Sequence, residues 1–184
     1  MADTATDPPM VLRRTESAVP PIRPPGFERE QSASLDRDSL SFRAEHAVLD
    51  SASEATGLTA DDGAAVSAFV SGTDFDRETL FLETALVGEC YRLRLCSVSW
   101  GPEEIETEYA RLLRPYDERC EADRSVFESR LIRLPVSLDA DAVNAFGSSI
   151  GSGTCDSRVA RAEATSKGDT STNATSDGEG GARE

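Results

Sequence analysis

A block of alternating residues between Thr79 and Val136 constrains the fold of this chain more than any other feature. Polar and apolar side chains alternate there in long runs, and turn residues such as Gly88-Glu89 and Gly101-Pro102 separate the runs. A period of two is typical of strands with one buried face. The predicted strands cover residues 79–87, 90–100, 103–112 and 125–136, and we expect them to pair as an antiparallel meander.

Shorter elements flank this block on both sides. The run Leu40–Val48 also alternates and predicts an earlier strand. A capping pattern at residues 59–62, followed by apolar residues at helical spacing, predicts a short helix, and residues 139–147 predict a second one. The predicted fold class is therefore mainly β (α+β), an antiparallel meander sheet with one or two short helices.

The predicted domain organisation is one folded domain between two disordered tails. A chain of 184 residues has room for a single core of ordinary size. Residues 1–38 are rich in proline and show no hydrophobic period, which predicts a disordered, extended arm. Residues 156–184 are mostly Ser, Thr, Gly, Asp and Ala and predict a second disordered tail. Residues 39–155 form the predicted β-rich domain.

The charge balance excludes several classes of partner. Acidic residues outnumber basic ones by 34 to 19, the net charge is -15, and Lys167 is the only lysine. Such a chain repels itself in dilute buffer, whereas molar salt shortens the Debye length to about 3 Å and removes most of the repulsion. We therefore predict a halophilic protein that gains stability from salt. The basic stripe that nucleic acid requires is missing, and no apolar run approaches a membrane-spanning length.

Four cysteines, at positions 90, 96, 120 and 155, predict disulfides more readily than a metal site. Their spacing does not fit a zinc knuckle, and the chain has a single histidine, so we predict no metal. Cys90 and Cys96 lie on one predicted strand, about 20 Å apart, and cannot bond each other. The turn at Gly101-Pro102 favours Cys90 with Cys120, which leaves Cys96 for Cys155. A bridge between Cys90 and Cys155 stays open, as do buried free thiols.

One short motif resembles a catalytic signature. Residues 147–151 read Gly-Ser-Ser-Ile-Gly and match the G-x-S-x-G pattern of a nucleophile elbow. The elbow needs a strand before it, a helix after it and a histidine later in the chain. Here a helix is predicted before the motif, and His46, the only histidine, lies upstream. We therefore predict a Gly-Ser loop, no catalytic residue and no cofactor. A serine hydrolase-like enzyme, with Ser149 and His46 as its candidates, is the alternative.

A cluster of arginine and tyrosine is the best candidate for a binding surface. These residue types are enriched where proteins recognise each other. The candidate binding residues are Tyr109, Arg111, Arg114, Tyr116 and Arg119. The competing interpretation is that the arginines only neutralise the acids of the sheet.

The segment from Thr73-Asp74-Phe75 through Cys90-Tyr91-Arg92-Leu93 to residues 131–135 resembles small secreted or lipid-anchored β-domain proteins of haloarchaea. Their shared plan is an Asp-Phe entry, a cysteine at the start of a long strand, a second cysteine after the next hairpin and a closing Arg-x-Pro strand. More distantly, the layout is similar to the C-terminal β domain found in a protease complex, with Glu89-Cys90-Tyr91 in place of a Gly-Gly-Tyr signature. The resemblance implies a location outside the cytoplasm and binding or structural work.

We therefore expect a non-enzymatic, cell-surface or secreted module that binds a protein or another cell-surface partner. Residues 1–14 contain no basic region followed by an apolar stretch and no lipobox cysteine, so no export signal is visible in them. A soluble cytoplasmic protein of unknown role remains the alternative location and function. A purely structural haloarchaeal protein whose tails act as spacers is a third interpretation.

Overall fold

The computed structural model describes residues 2–27 and 45–156. Strands dominate, which confirms the prediction of a mainly β fold. The strands are β1 (Asp3–Ala5), β2 (Met10–Thr15), β3 (Ile22–Arg23), β4 (Glu45–Leu49), β5 (Thr59–Ala60), β6 (Thr79–Gly88), β7 (Tyr91–Trp100), β8 (Glu104–Leu113), β9 (Ser125–Leu134) and β10 (Ala145–Ser152). The helices are α1 (Ala52–Ala55) and α2 (Gly63–Ser71).

Eight of these strands form two four-stranded sheets. Sheet 1 has the order β1-β7-β8-β10 and sheet 2 the order β2-β9-β6-β4. All neighbours pair antiparallel except β10, which runs parallel to β8. The short strands β3 and β5 form a separate two-stranded ribbon. The chain is thus a β-sandwich with a small added layer.

The main core lies between the two sheets. Apolar side chains of β7 and β8 pack there against those of β6 and β9, and Val98, Ile105 and Ile132 are fully enclosed. Because side chains alternate along a strand, the next residues of β6 and β9 point to the other side of sheet 2. Sheet 2 is therefore buried on both faces.

A second core covers the outer face of sheet 2. Val66 and Val70 of α2 pack there with residues of β6 and β9, and Ile22 of β3 is also fully enclosed in it. Arg133 of β9 holds the end of α2, because its Nη2 donates to the carbonyl oxygen of Phe69 at 2.8 Å. The helical spacing of apolar residues in the sequence predicted this helix, which is confirmed.

Three predictions of local structure are wrong. The strands do not form one meander, because β6 and β7 belong to different sheets and only β7 and β8 pair as a predicted hairpin. The proline-rich arm predicted over residues 1–38 contains β1, β2 and β3, which pair with β7, β9 and β5. The helix and Gly-Ser loop predicted after residue 139 are a turn and then β10. Residues 28–44 and 157–184, which include parts of the predicted tails and first strand, lie outside the described residues.

Both favoured disulfides are confirmed. Cys90 and Cys120 have Cα atoms 5.2 Å apart, and those of Cys96 and Cys155 are 5.0 Å apart. The first bond joins the corner between β6 and β7 to the loop before β9, and the second joins β7 to the residues after β10. No helix in the described ranges is long and apolar enough to cross a membrane.

Candidate functional site

A polar cluster lies at the side of the sandwich where β4 and β10 face each other. Its centre is Glu83 of β6, which points between the sheets and is only 1% exposed. His46 of β4 lies directly beside it in sheet 2, while Thr107 of β8 and Ser148 of β10 approach from sheet 1. Together with Tyr109 of β8 these residues form what we call the Glu83 cluster.

Four polar side chains of the cluster surround the carboxylate of Glu83, which is their common hydrogen-bond acceptor. Thr107 Oγ1 donates to Oε1 at 3.0 Å, and His46 Nε2 lies 3.3 Å from the same oxygen. The hydroxyl of Ser148 also donates to Oε1, and the phenol of Tyr109 donates to Oε2. Burying a carboxylate is costly unless such donors surround it. These hydrogen bonds therefore offset the cost of burying the negative charge of Glu83.

The hydrogen bonds decide the ionisation state of Glu83 and Tyr109. Burial alone raises the pKa of Glu83, but hydrogen bonds from His46, Ser148 and Tyr109, with the charge of His46, outweigh burial and lower this pKa below 4.5. Burial and the negative charge of Glu83 raise the pKa of Tyr109 well above 10.0. At neutral pH the cluster thus holds an ionised carboxylate and a protonated phenol.

Replacing Glu83 by Gln should weaken the dependence of stability on acid. Because the folded pKa of Glu83 is lower than the unfolded one, its contribution is present above the unfolded pKa and is lost as pH falls through the folded pKa. Denaturant titrations between about pH 6 and pH 3 should therefore show a shallower loss of unfolding free energy in the variant than in the wild type. The variant should also lose about 1–3 kcal/mol at neutral pH, because the buried donors lose a charged acceptor.

The control for this measurement is Glu104→Gln, since Glu104 is an exposed carboxylate at the start of β8. It should leave both the neutral-pH stability and the acid slope close to those of the wild type. Equal acid slopes for wild type and Glu83→Gln would contradict the assignment of this dependence to Glu83.

A second buried ionic group bridges the other side of the sandwich interior. Arg130 and Glu128 of β9 are each 1% exposed, and Arg130 Nη2 lies 2.5 Å from Glu128 Oε2. The same guanidinium donates to the carbonyl oxygen of Leu93 at 2.6 Å and lies over the ring of Tyr109. Arg14 of β2 completes the group, with Nη1 2.6 Å from Glu128 Oε1. Two arginines thus surround one carboxylate.

The structure does not bring the candidate catalytic residues together. Ser149 pairs with Glu108 on the outer face of sheet 1, whereas His46 points into the sandwich. Ser148, the neighbouring residue, does face the interior, but its hydroxyl donates to Glu83. A general base must accept the proton of the nucleophile, and the lowered pKa of Glu83 makes its carboxylate a weak base. Sequence reasoning missed Ser148, because strand β10 sets which serine faces inward.

The candidate binding residues separate into buried and exposed ones. Tyr109 is 1% exposed and belongs to the Glu83 cluster, so it cannot contact a partner. Arg111 is exposed and lies over the ring of Tyr91 at 4.9 Å. Arg114 Nη2 pairs with Glu118 at 2.8 Å. Tyr116 and Arg119 are exposed in the loop that follows β8.

This loop, residues 114–124, is fixed at the corner between β6 and β7, and we call it the clamped loop. The bond between Cys90 and Cys120 holds its middle. At its two ends, the amide of Arg114 donates to the carbonyl oxygen of Cys90 at 2.9 Å, and the amide of Glu89 donates to the carbonyl oxygen of Arg124 at 2.8 Å. The amide of Glu121 adds a bond to Glu89 Oε2 at 3.1 Å.

Two large side chains are exposed on the clamped loop and at the end of β8 that leads into it. Tyr116 is fully exposed, and Leu113, the last residue of β8, is 70% exposed. Sequence reasoning included Tyr116 but not Leu113, because strand alternation alone assigns that leucine to the core. Within the described residues, no group of three or more His, Cys, Asp or Glu side chains is placed to hold a metal ion.

Comparison with known proteins gives no relative from which a role could be transferred. No protein-family model, no curated protein and no solved structure matches the chain. The resemblance to haloarchaeal β-domain proteins therefore stays a prediction, and a function has to be inferred from the geometry of the fold.

Proposed function

We propose that this protein is a non-enzymatic binding module of a high-salt organism, displayed on the cell surface or secreted, and that the clamped loop is its contact surface. The observation that carries the proposal is the full exposure of Tyr116 on a loop fixed by a disulfide, with Leu113, 70% exposed, three residues before it. An exposed tyrosine and leucine on a mobile loop would cost ordering entropy on binding. A loop that is already ordered loses less conformational entropy when it binds, so most of that cost is avoided.

The chemistry of the loop suits a protein partner. Tyrosine and arginine are the residue types enriched in interface hot spots. Arg111 and Arg119 lie close to the two apolar residues in sequence, and both are exposed. Asp117 and Glu118, which are also exposed, give the loop both signs of charge. We infer a partner surface with an apolar pocket and a mixed polar rim.

Two features support the location. Disulfides persist in oxidising compartments and are rare in the cytosol of most organisms. All four cysteines of this chain are paired at disulfide distance. The charge of -15 and the preference for arginine over lysine support a high-salt origin. In a cytoplasmic protein the same four thiols would have to remain reduced, although the Cα atoms of each pair lie at a distance typical of a disulfide.

The hydrolase alternative has less support. Ser149 lies on the outer face of sheet 1 and His46 points into the sandwich interior, while Ser148 donates to a carboxylate. A nucleophile and its base must lie within hydrogen-bond reach of each other, which Ser149 and His46 do not. The carboxylate that Ser148 contacts has a lowered pKa and is therefore a weak base. We therefore keep binding as the function and treat the Glu83 cluster as a structural element of the core.

Replacing Tyr116 by Ala should weaken binding to the cell envelope of the source organism at least about tenfold, as expected for an interface hot spot. The measurement is saturation binding of labelled protein to isolated envelopes in molar salt. Leu12→Ala is a matched control, because Leu12 of β2 is an exposed apolar residue far from the clamped loop in sequence. It should bind like the wild type, and both variants should melt near the wild-type temperature.

Two outcomes would contradict the proposal. Wild-type protein that shows no saturable binding would remove the binding function. Tyr116→Ala binding as tightly as the wild type, while Leu12→Ala binds weakly, would move the contact surface from the clamped loop to β2.

A further inference from the structure

Most arginines in the described part of the chain form an ion pair with an acidic side chain. These arginines are Arg13, Arg14, Arg23, Arg114, Arg124, Arg130 and Arg133. Arg92, Arg94 and Arg119 are exposed and form no ion pair with a described residue. Acidic residues outnumber basic ones by 34 to 19, so these arginines are unpaired in a chain with a large excess of acid.

Two of the unpaired arginines follow each other on one face of β7. Arg92 and Arg94 face outward from sheet 1, and two residues along a strand correspond to about 6.7 Å. On β8 they pair with Leu112 and Ala110, which carry no charge. The sheet therefore places no carboxylate directly beside either arginine.

The acidic side chains that the fold brings towards this part of sheet 1 do not pair with these arginines. Glu108 lies two residues from Ala110 on β8 and accepts a hydrogen bond from the hydroxyl of Ser97 at 3.1 Å. Asp156 follows the cysteine that is bonded to Cys96, and it forms no ion pair with an arginine of the described ranges. Arginines that only neutralised the acids of the sheet would contact them, and those of β7 do not.

The disulfide between Cys90 and Cys120 brings a third arginine to the same end of β7. The Cα atoms of the two cysteines are 5.2 Å apart. Arg119 is next to Cys120, so its Cα atom lies within about 9 Å of that of Cys90. Glu118 and Glu121, which are close to Arg119 in sequence, pair with other arginines of the clamped loop.

We propose that Arg92, Arg94 and Arg119, which we call the arginine corner, bind an extended acidic segment of a protein partner with carboxylates at every second residue. Alternate side chains of an extended peptide lie on one face about 6.7 Å apart, which is the spacing of the two arginines on β7. Each carboxylate can accept two hydrogen bonds from a guanidinium. The inference rests on the proposed function, because Arg119 belongs to the clamped loop.

Molar salt favours a ligand with several carboxylates at matched spacing. At a Debye length of about 3 Å, only charges in direct contact attract each other. One exposed ion pair then contributes at most about fivefold in affinity, so several have to form together. The same screening removes the repulsion between an acidic partner and this chain, whose net charge is -15.

Fluorescence anisotropy in molar salt tests the ligand class. The probe is a labelled peptide of alternating Asp and Thr, and the comparator has the same composition with all Asp residues in one block. The alternating peptide should bind at least about threefold more tightly, because its carboxylates match the spacing on β7. Replacing Arg92 and Arg94 together by Ala should weaken its binding at least about fivefold.

Arg77→Ala is the matched control. Arg77 is exposed and also forms no ion pair with a described residue, but it lies in the turn before β6. This variant should bind the alternating peptide like the wild type. Equal affinity for the two peptides, or a double arginine variant that binds as tightly as the wild type, would overturn the proposal. A polyuronic acid that binds more tightly than the peptide through the same arginines would also overturn it, because the partner would then be a polysaccharide.

The envelope assay separates this inference from the proposed function. Saturable envelope binding that Tyr116→Ala weakens, but that the double arginine variant retains in full, would keep the clamped loop as contact surface and overturn the acidic partner. Wild-type protein that binds the alternating peptide but not the envelopes would keep the acidic ligand and overturn the proposed function.

Discussion

Replacing Glu128 by Leu should destabilise the protein by about 3–5 kcal/mol, the usual cost of leaving a buried charge without its partner. Arg130 is 1% exposed, and Glu128 is the carboxylate that it contacts. Its remaining hydrogen bond to the carbonyl oxygen of Leu93 does not neutralise the guanidinium. The measurement is the free energy of unfolding by denaturant in molar salt. Total stabilities of about 5–15 kcal/mol make a loss of this size easy to detect.

Restoring neutrality should restore stability. In the double variant Glu128→Leu, Arg130→Met the buried charges are replaced by apolar groups of similar volume, a change that is often neutral or stabilising. Arg14, the second partner of Glu128, is partly exposed and also donates to two backbone carbonyl oxygens, so water and these bonds satisfy it. Glu118→Leu, which removes an exposed partner of Arg114, is the control and should cost less than about 1 kcal/mol. Equal losses in the single and double variants would contradict the charge argument.

Removing either disulfide should cost about 4 kcal/mol, and removing both should leave the protein largely unfolded at physiological temperature. The two bonds close segments of 30 and 59 residues, which lowers the conformational entropy of the unfolded chain. The variants are Cys90→Ala with Cys120→Ala, and Cys96→Ala with Cys155→Ala. Thermal unfolding with and without reductant measures the effect. The loss should be slightly larger for the second pair, because its loop is longer.

The same cysteines report where the protein resides. Protein isolated from its native source in the presence of an alkylating agent should carry no alkylated thiol if it resides in an oxidising compartment. Reductant should not change the melting temperature of the variant that lacks all four cysteines. Four alkylated thiols in the native protein would contradict the proposed location outside the cytoplasm. A melting temperature that reductant leaves unchanged in the wild type would contradict the stabilising role of the bonds.

Local patterns predicted the long strands well. The predicted bounds of β6 to β9 lie within two residues of the observed ones, because turn residues end each run and alternation is strong. The clearest case is β7, where Leu93 and Leu95 face the core and Arg92 and Arg94 face outward. The cysteine pairing was predictable for the same reason. The pairing of Cys90 with Cys120 required only the β7–β8 hairpin and its length. The pairing of Cys96 with Cys155 followed by elimination, and Cys90 with Cys155 stayed open.

Sheet membership was not predictable from these patterns. Strands β6 and β9 are buried on both faces, yet they carry Glu83, Glu128 and Arg130 in the interior. Glu128 and Arg130 alternate along β9 as they would in a strand with one face in water, and Glu83 interrupts the apolar run of β6. Their charges are satisfied by β4, β8 and β2, which are partners distant in sequence. The Glu83 cluster was missed for this reason.

Strands of low intrinsic propensity were also missed. Strand β10 reads Ala-Phe-Gly-Ser-Ser-Ile-Gly-Ser, a composition typical of loops. It is a strand because β8 supplies hydrogen bonds along its whole length and the bond between Cys96 and Cys155 holds the residues that follow it. Strand β2 was missed because prolines precede it in a segment without a hydrophobic period. Its partner, β9, lies more than 100 residues later.

The order of strands in sheet 2 determines when this chain can fold. Strand β9 lies between β2 and β6, so β2 has no partner until residue 134 has been synthesised. Strand β2 thus waits for more than 100 further residues with its backbone groups bonded to water. Folds dominated by such distant pairings form slowly, over milliseconds to seconds. Strand β2 is made second and can enter sheet 2 only after β9, at the far end of the described chain.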